Sequence, residues 1–168
     1  MTPKPIFPGL NQVIQLLGLE PLIPEGGYFK RTYQSKFDLQ FKGEVRPSMS
    51  AIYYLVTPES FSALHQLTTD EIYHFYAGDP LELHMIAPSG EYRVQVLGMD
   101  LASGQVPQVV VPSGYWQCSK QKHNSIGYSL VGTTVSPGFD FADFTLASHE
   151  DLLKMKVEIR EALAGFVK

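Results

Sequence analysis

The chain has 168 residues, 44% of them apolar and 18% charged, with a formal net charge of −4. That size and balance predict a single globular domain spanning residues 1–168, and they exclude a disordered chain. The negative charge, with no run of Lys and Arg, argues against nucleic-acid binding, and no stretch has the length and apolarity of a membrane span.

The opening MTPKPIFPG has no apolar run of the signal-peptide kind, so a cytoplasmic protein is expected. Leu10, Val13, Ile14 and Leu17 follow helical spacing, and Gly18 is placed to end that helix. Pro24-Glu25-Gly26-Gly27 reads as a turn, and YFKRTY after it as a strand. On that strand Lys30 and Arg31 point to opposite faces, and either can meet an anionic substrate.

From Ser50 to Val135 the pattern is nearly all β. SAIYYLV, FSALHQL, EIYHFYA, LELHMIA, EYRVQVLG, PQVVVPSGYWQCS and GYSLVGTTV alternate with turn signals, as in a sandwich or barrel. The single cysteine, Cys118, rules out an internal disulfide and reads as a buried strand residue. The aromatic PGFDFADF segment is expected to cover a barrel end or a sheet edge. Within it, Asp140 and Asp143 read as capping or solvated groups. Ser148 starts a C-terminal helix whose Leu152, Met155, Ile159, Leu163 and Phe166 line one face against the barrel.

Chemistry concentrates in two segments, HQLTTDEIYHFYAG (His65–Gly78) and PSGYWQ (Pro112–Gln117). Strand alternation puts Glu71, Tyr73 and Phe75 on one face, and Phe61, Ala63, His65 and Leu67 on one face. His65 and Glu71 are then expected to meet inside, on adjacent strands of a hairpin. A His titrates near neutrality, and burial raises a carboxyl pKa, so the pair suits acid–base work or a buried hydrogen bond. Tyr53 and Tyr54 are neighbours on one strand, so one of them faces the core. His74, His84, His123 and His149 read as structural or solvated. No glycine-rich phosphate loop and no nucleophile elbow is present.

These segments resemble the cupin superfamily. Its first motif, G-x5-H-x-H-x3,4-E-x6-G, is matched by His65, Glu71 and Gly78, with Leu67 at the second His position. Its second, G-x5-P-x-G-x2-H-x3-N, is matched by Pro112 and Gly114, with Gln117 where the His belongs. Across roughly residues 10 to 160 the chain looks like a branch of small cupins known as a domain of unknown function. The resemblance implies an all-β double-stranded β-helix (jelly-roll) barrel with a short N-terminal helix and a C-terminal helix. It also implies a homodimer and a small-molecule ligand, in an architecture similar to the deoxysugar-nucleotide epimerases. Two of the usual metal ligands are replaced, so no cofactor is expected; a divalent transition metal, if bound, would use His65, Glu71 and Gln117.

Three functions follow. The first is a metal-independent isomerase, epimerase or dehydratase on a small, sugar-like substrate. In it His65 is the base, Glu71 orients it, and Tyr53 or Tyr73 donates the proton. Gln117, Phe61, Phe75, Leu67 and Arg31 would hold the substrate. The second is a non-catalytic ligand-binding module, with few polar groups on an apolar wall. The third is a metal enzyme with the reduced ligand set.

Overall fold

The computed structural model describes residues 7–168. The opening segment read above for a leader lies mostly outside that range. Helix α1 (Leu10–Leu17) ends as expected at Gly18, whose φ of 61° lets the Leu19 amide donate to the Ile14 carbonyl at 2.9 Å. Strands β1 (Glu20–Pro21), β2 (Tyr28–Gln34), β5 (Ser50–Val56), β7 (Asp70–Gly78), β10 (Gln108–Val111) and β12 (Ser129–Ser136) form one antiparallel sheet, in the order β1-β2-β5-β12-β7-β10. Strands β6 (Ser62–Leu67), β8 (Leu81–Ile86), β9 (Tyr92–Leu97), β11 (Trp116–Gln121) and β13 (Phe144–Leu146) form the second, in the order β13-β6-β11-β8-β9. A separate hairpin pairs β3 (Asp38–Phe41) with β4 (Glu44–Pro47). The sequence reading misses it. Its strands are short and polar, and only the Lys42-Gly43 turn, with φ of 51° and 85°, marks it.

The two large sheets face each other, and Tyr54, Tyr73, Leu83, Leu97 and Val131 pack between them. Each outer face has its own cover. Helix α1 lays Val13 against Leu55 of the first sheet and Tyr128 just before β12. The C-terminal segment lays Leu152, Ile159, Leu163 and Phe166 against Leu64, Ile86 and Cys118 of the second. Each such side chain, fully buried, contributes about 1.5–3 kcal/mol. The expected single C-terminal helix is instead two, α2 (His149–Leu153) and α3 (Val157–Leu163), with Lys156 extended at ψ 151° between them. The apolar face survives the break, and Ser148 and Asp151 form the capping box that starts α2. Gly78, the last residue of the first motif, has φ 92°, and a Cβ there would collide with the Tyr128 carbonyl. Only glycine lets β7 turn so close to its neighbour.

Candidate functional site

A cavity of about 110 Å³ opens at one end of the barrel between the two sheets. Its apolar walls include Phe29, Ile52, Leu67, Val135 and the flap residues Phe139 and Phe144. Its polar groups are few: His65, Glu71, Glu25, Thr133, Ser50 and Arg31. His65 and Glu71 come together here by a different route from the one expected. Strand β6 belongs to one sheet and β7 to the other, so the two side chains face each other across the barrel and are not hairpin neighbours. Gln117 pairs directly with His65 on the adjacent strand and reaches across to Glu71, its Nε2 donating to Oε2 at 2.8 Å.

His65 is 2% exposed and is oriented by its own strand, not by Glu71. Its Nδ1 lies 2.8 Å from the Ala63 carbonyl oxygen. A carbonyl only accepts, so Nδ1 is the donor of this bond and Nε2 is the ring nitrogen left over. Phe144 stacks on the ring at 5.2 Å between centroids and 25° between planes, which fixes its tilt. Among the described residues nothing hydrogen-bonds to Nε2.

Glu71 is 7% exposed. Burial raises its pKa, only partly offset by the nearby His65 and by hydrogen bonds from Thr133 and Gln117, and Glu25 adds to the rise. The net displacement is upward from the ordinary 4.5.

The remaining predicted site residues divide. Leu67 and Arg31 line the cavity, Arg31 at its mouth. Phe61 does not. Ser62 pairs with Ser119 and His65 with Gln117, so three steps on β6 oppose two on β11. That bulge inverts the alternation, and Phe61 turns outward to meet Phe166 edge-on at 5.5 Å. Phe75 and Tyr73 pack deeper in the core between the sheets. Tyr73 is sealed there, its phenol pKa raised by burial and then by Glu71. Tyr53 faces outward under α1, edge-on to Tyr76 at 6.0 Å. Tyr54 is the one that faces inward, and its hydroxyl donates to the Gly26 carbonyl at 2.9 Å. That bond braces the turn carrying Glu25, whose carboxylate accepts from Ser62 at 2.6 Å. Neither tyrosine chosen as proton donor therefore reaches the cavity.

Sequence reasoning misses one residue pair altogether. Arg46, from β4, donates through Nη2 to Asp143 Oδ2 at 2.8 Å and to the Gly138 carbonyl at 2.6 Å. Thr68 donates to Asp143 Oδ1. Asp143 is buried, not solvated, and these bonds pin residues 138–144 over the cavity mouth. Burial pushes the Asp143 carboxyl up, but Thr68, Arg46 and Lys42 outweigh it and hold the pKa below the ordinary 3.8. The cover role expected for this segment is what it plays. Phe139, Phe141 and Phe144 pack edge to edge, with Phe139 and Phe141 5.2 Å apart.

Residues 11–147 match the family described as Cupin superfamily (DUF985). The chain belongs to that cupin family. A Saccharomyces cerevisiae relative, described as uncharacterised, is 32% identical over 144 residues, 77% of this chain and 71% of the relative. A Shewanella oneidensis structure superposes with a TM-score of 0.87 at 38% identity, covering 96% of this chain and 99% of that one. A hypothetical protein from Leishmania major gives 0.88 at 32%, covering 95% and 99%. Bacillus subtilis oxalate decarboxylase gives 0.56 at 16%, covering 88% of this cupin and 34% of the enzyme, which is a likeness of fold.

Cupins of that wider fold can hold a divalent metal, and a resident transition metal takes three or four converging ligands. Among the described residues no three His, Cys, Asp or Glu side chains converge. Leu67 presents a hydrocarbon wall, and Gln117 spends its Nε2 on Glu71, which leaves its buried Oε1 without a hydrogen-bond partner. A metal held here would have His65, Glu71 and the Gln117 Oε1 as its ligands, a weaker set than three or four His, Cys or carboxylate side chains because the amide oxygen is neutral.

Proposed function

We propose that this cupin binds a small polar metabolite in the barrel cavity and moves a proton on it without a metal, as an isomerase, epimerase or dehydratase does. The observation that carries this reading is the placement of the two buried groups at one cavity. His65 spends Nδ1 on its own strand and leaves Nε2 without a hydrogen-bond partner at the cavity, while Glu71, with its pKa raised, retains a proton more readily than a free carboxylate. A ring nitrogen free to accept a proton and a carboxyl whose pKa is raised by burial, both at one cavity, suit proton transfer. Glu71 thus takes the donor role in place of a tyrosine. At about 110 Å³ the enclosed space admits one end of a metabolite, such as a short polyol or hydroxy-acid segment.

The test is exchange of substrate C–H protons with deuterated water, followed by NMR across a panel of small hydroxy-carbonyl metabolites. His65→Ala is expected to slow wash-in by about 10²–10⁴-fold. Wash-in that survives the substitution overturns the assignment of the base. The apolar lining favours a second reading, a ligand-binding module. A metabolite held by the cavity and returned with all its protons unexchanged would establish that alternative. Homodimerisation belongs to the proposal as well, and a monomer mass by light scattering at all concentrations removes it.

A further inference from the structure

A second pocket, of about 310 Å³, adjoins the cavity and is lined by Arg31, Gln34, Val45, Arg46, Pro47, Phe139, Asp140 and Phe141. Arg31, Phe139 and Phe141 line both spaces, so one molecule can run from the cavity into the pocket. The two spaces differ in chemistry. The cavity has a hydrocarbon wall, whereas the pocket carries two guanidinium groups against one carboxylate.

Arg46 is the unusual member. It is 6% exposed, yet both hydrogen bonds it makes to the flap leave from Nη2. Among the described residues nothing accepts from its Nε or Nη1. A guanidinium presents its donors as a planar fork suited to two oxygens of one anion. Arg31 donates one bond, from Nη1 to Gln34 at 3.0 Å, and is otherwise free to turn toward the same space. Asp140 opposes them, although its Oδ1 is engaged by the Ala142 amide at 2.8 Å.

We propose that this pocket is an oxyanion subsite, holding the phosphate or carboxylate of the metabolite whose reactive end lies beside His65 and Glu71. The inference rests on the proton-transfer reading for where that other end sits, but the anion site stands on its own residues. Arg46 then has two roles: one edge of its guanidinium pins the flap, and the other edge greets the ligand. Binding and closure of the aromatic wall would be linked through a single side chain.

The full chain, labelled with ¹⁵N, is titrated with inorganic phosphate and separately with acetate, at constant ionic strength held by chloride. The arginine Nε–H signals are followed. Saturable shifts of the Arg31 and Arg46 signals with either anion support the proposal, and the anion that saturates tells phosphate from carboxylate. Arg31→Gln is expected to weaken that binding about tenfold, and Asp140→Asn, which removes the opposing charge but keeps the oxygen that caps Ala142, to tighten it several-fold. Both variants leave the Arg46–Asp143 pair in place, so folding is not at issue. Linear shifts no larger than chloride gives, or binding indifferent to both variants, overturn the proposal. So does phosphate binding that is lost in His65→Ala but kept in Arg31→Gln, since the anion would then sit in the cavity. Failure of the deuterium wash-in alone, with arginine shifts intact, would remove the reaction and leave the subsite.

Discussion

Glu71 and Asp143 are both nearly sealed from water, at 7% and 4% exposure, and both line the approach to the same cavity or hold its cover. Their surroundings differ in one respect. Glu71 is held by the neutral amide of Gln117, and burial raises its pKa against the opposing pull of the nearby His65. Asp143 is held by the Arg46 guanidinium and the Thr68 hydroxyl, and its pKa falls. A buried carboxylate given a fixed positive partner becomes a structural latch. One held by neutral hydrogen-bond donors in a buried site has its pKa raised, the direction that acid–base chemistry uses. The protein thus places its one well-formed buried ion pair among the described residues on the flap and leaves the cavity carboxylate without one.

The largest expected effect comes from breaking the latch. Asp143→Asn leaves the Arg46 charge buried without its counter-ion, which costs about 3 kcal/mol in urea unfolding at pH 7. The pH dependence follows from the direction of the shift. Because the folded pKa lies below 3.8, the contribution is complete above that value and is lost as pH falls through the folded pKa. The gap between variant and wild type should therefore narrow in acid. A gap of the same size at every pH would mean that Asp143 acts through its shape and not through its charge.

Glu71→Gln should act in the opposite direction. The folded pKa is raised, so the native state binds more protons than the unfolded chain once pH exceeds 4.5, and wild-type stability declines as pH rises through that window. The substituted amide carries no charge to bury and still accepts from Gln117. Thermal unfolding is expected to show a higher Tm for the variant at pH 7 and no difference well below pH 4.5. Proton transfer should be lost in the same variant. A variant less stable than wild type at pH 7 would show that the carboxylate is well compensated, and the contrast with Asp143 would fail.

The sequence disclosed the two carboxylates unequally, for physical reasons. His65, Glu71 and Gly78 keep a fixed spacing within 14 residues of chain, and Gln117 sits three residues beyond a turn glycine, so their convergence could be read directly. The strand phase could not. The extra β6 residue between Ser62 and His65 has no signature in FSALHQL, and it sends Phe61 to the outer face. Tyr53 and Tyr54 are chemically equal neighbours, and only the sheet's packing chooses between them. Arg46 and Asp143 lie 97 residues apart, and Arg46 sits in a polar hairpin whose strands are too short to show a period. A long-range ion pair of this kind leaves no local pattern, which is why Asp143 reads as solvated from its neighbours alone.

The smallest effect tests whether the latch draws on its buried or its exposed cation. Lys42 Nζ approaches Asp143 Oδ1 to 3.6 Å, but the lysine side chain is 57% exposed, against 7% for Arg46. Its ammonium also lies over the Phe41 ring, 5.0 Å from the centroid, so it has a second place to rest. Water screens the first interaction, and ordering a long side chain offsets much of what remains. Exposed pairs of this kind are worth about 0–1 kcal/mol. Lys42→Met is therefore expected to change unfolding free energy by less than about 0.5 kcal/mol, and by less still in high salt. A loss as large as that of Asp143→Asn would locate the holding charge at the surface. Arg46 would then be free of the flap, and the low pKa of Asp143 would no longer distinguish a buried latch from an ordinary exposed pair.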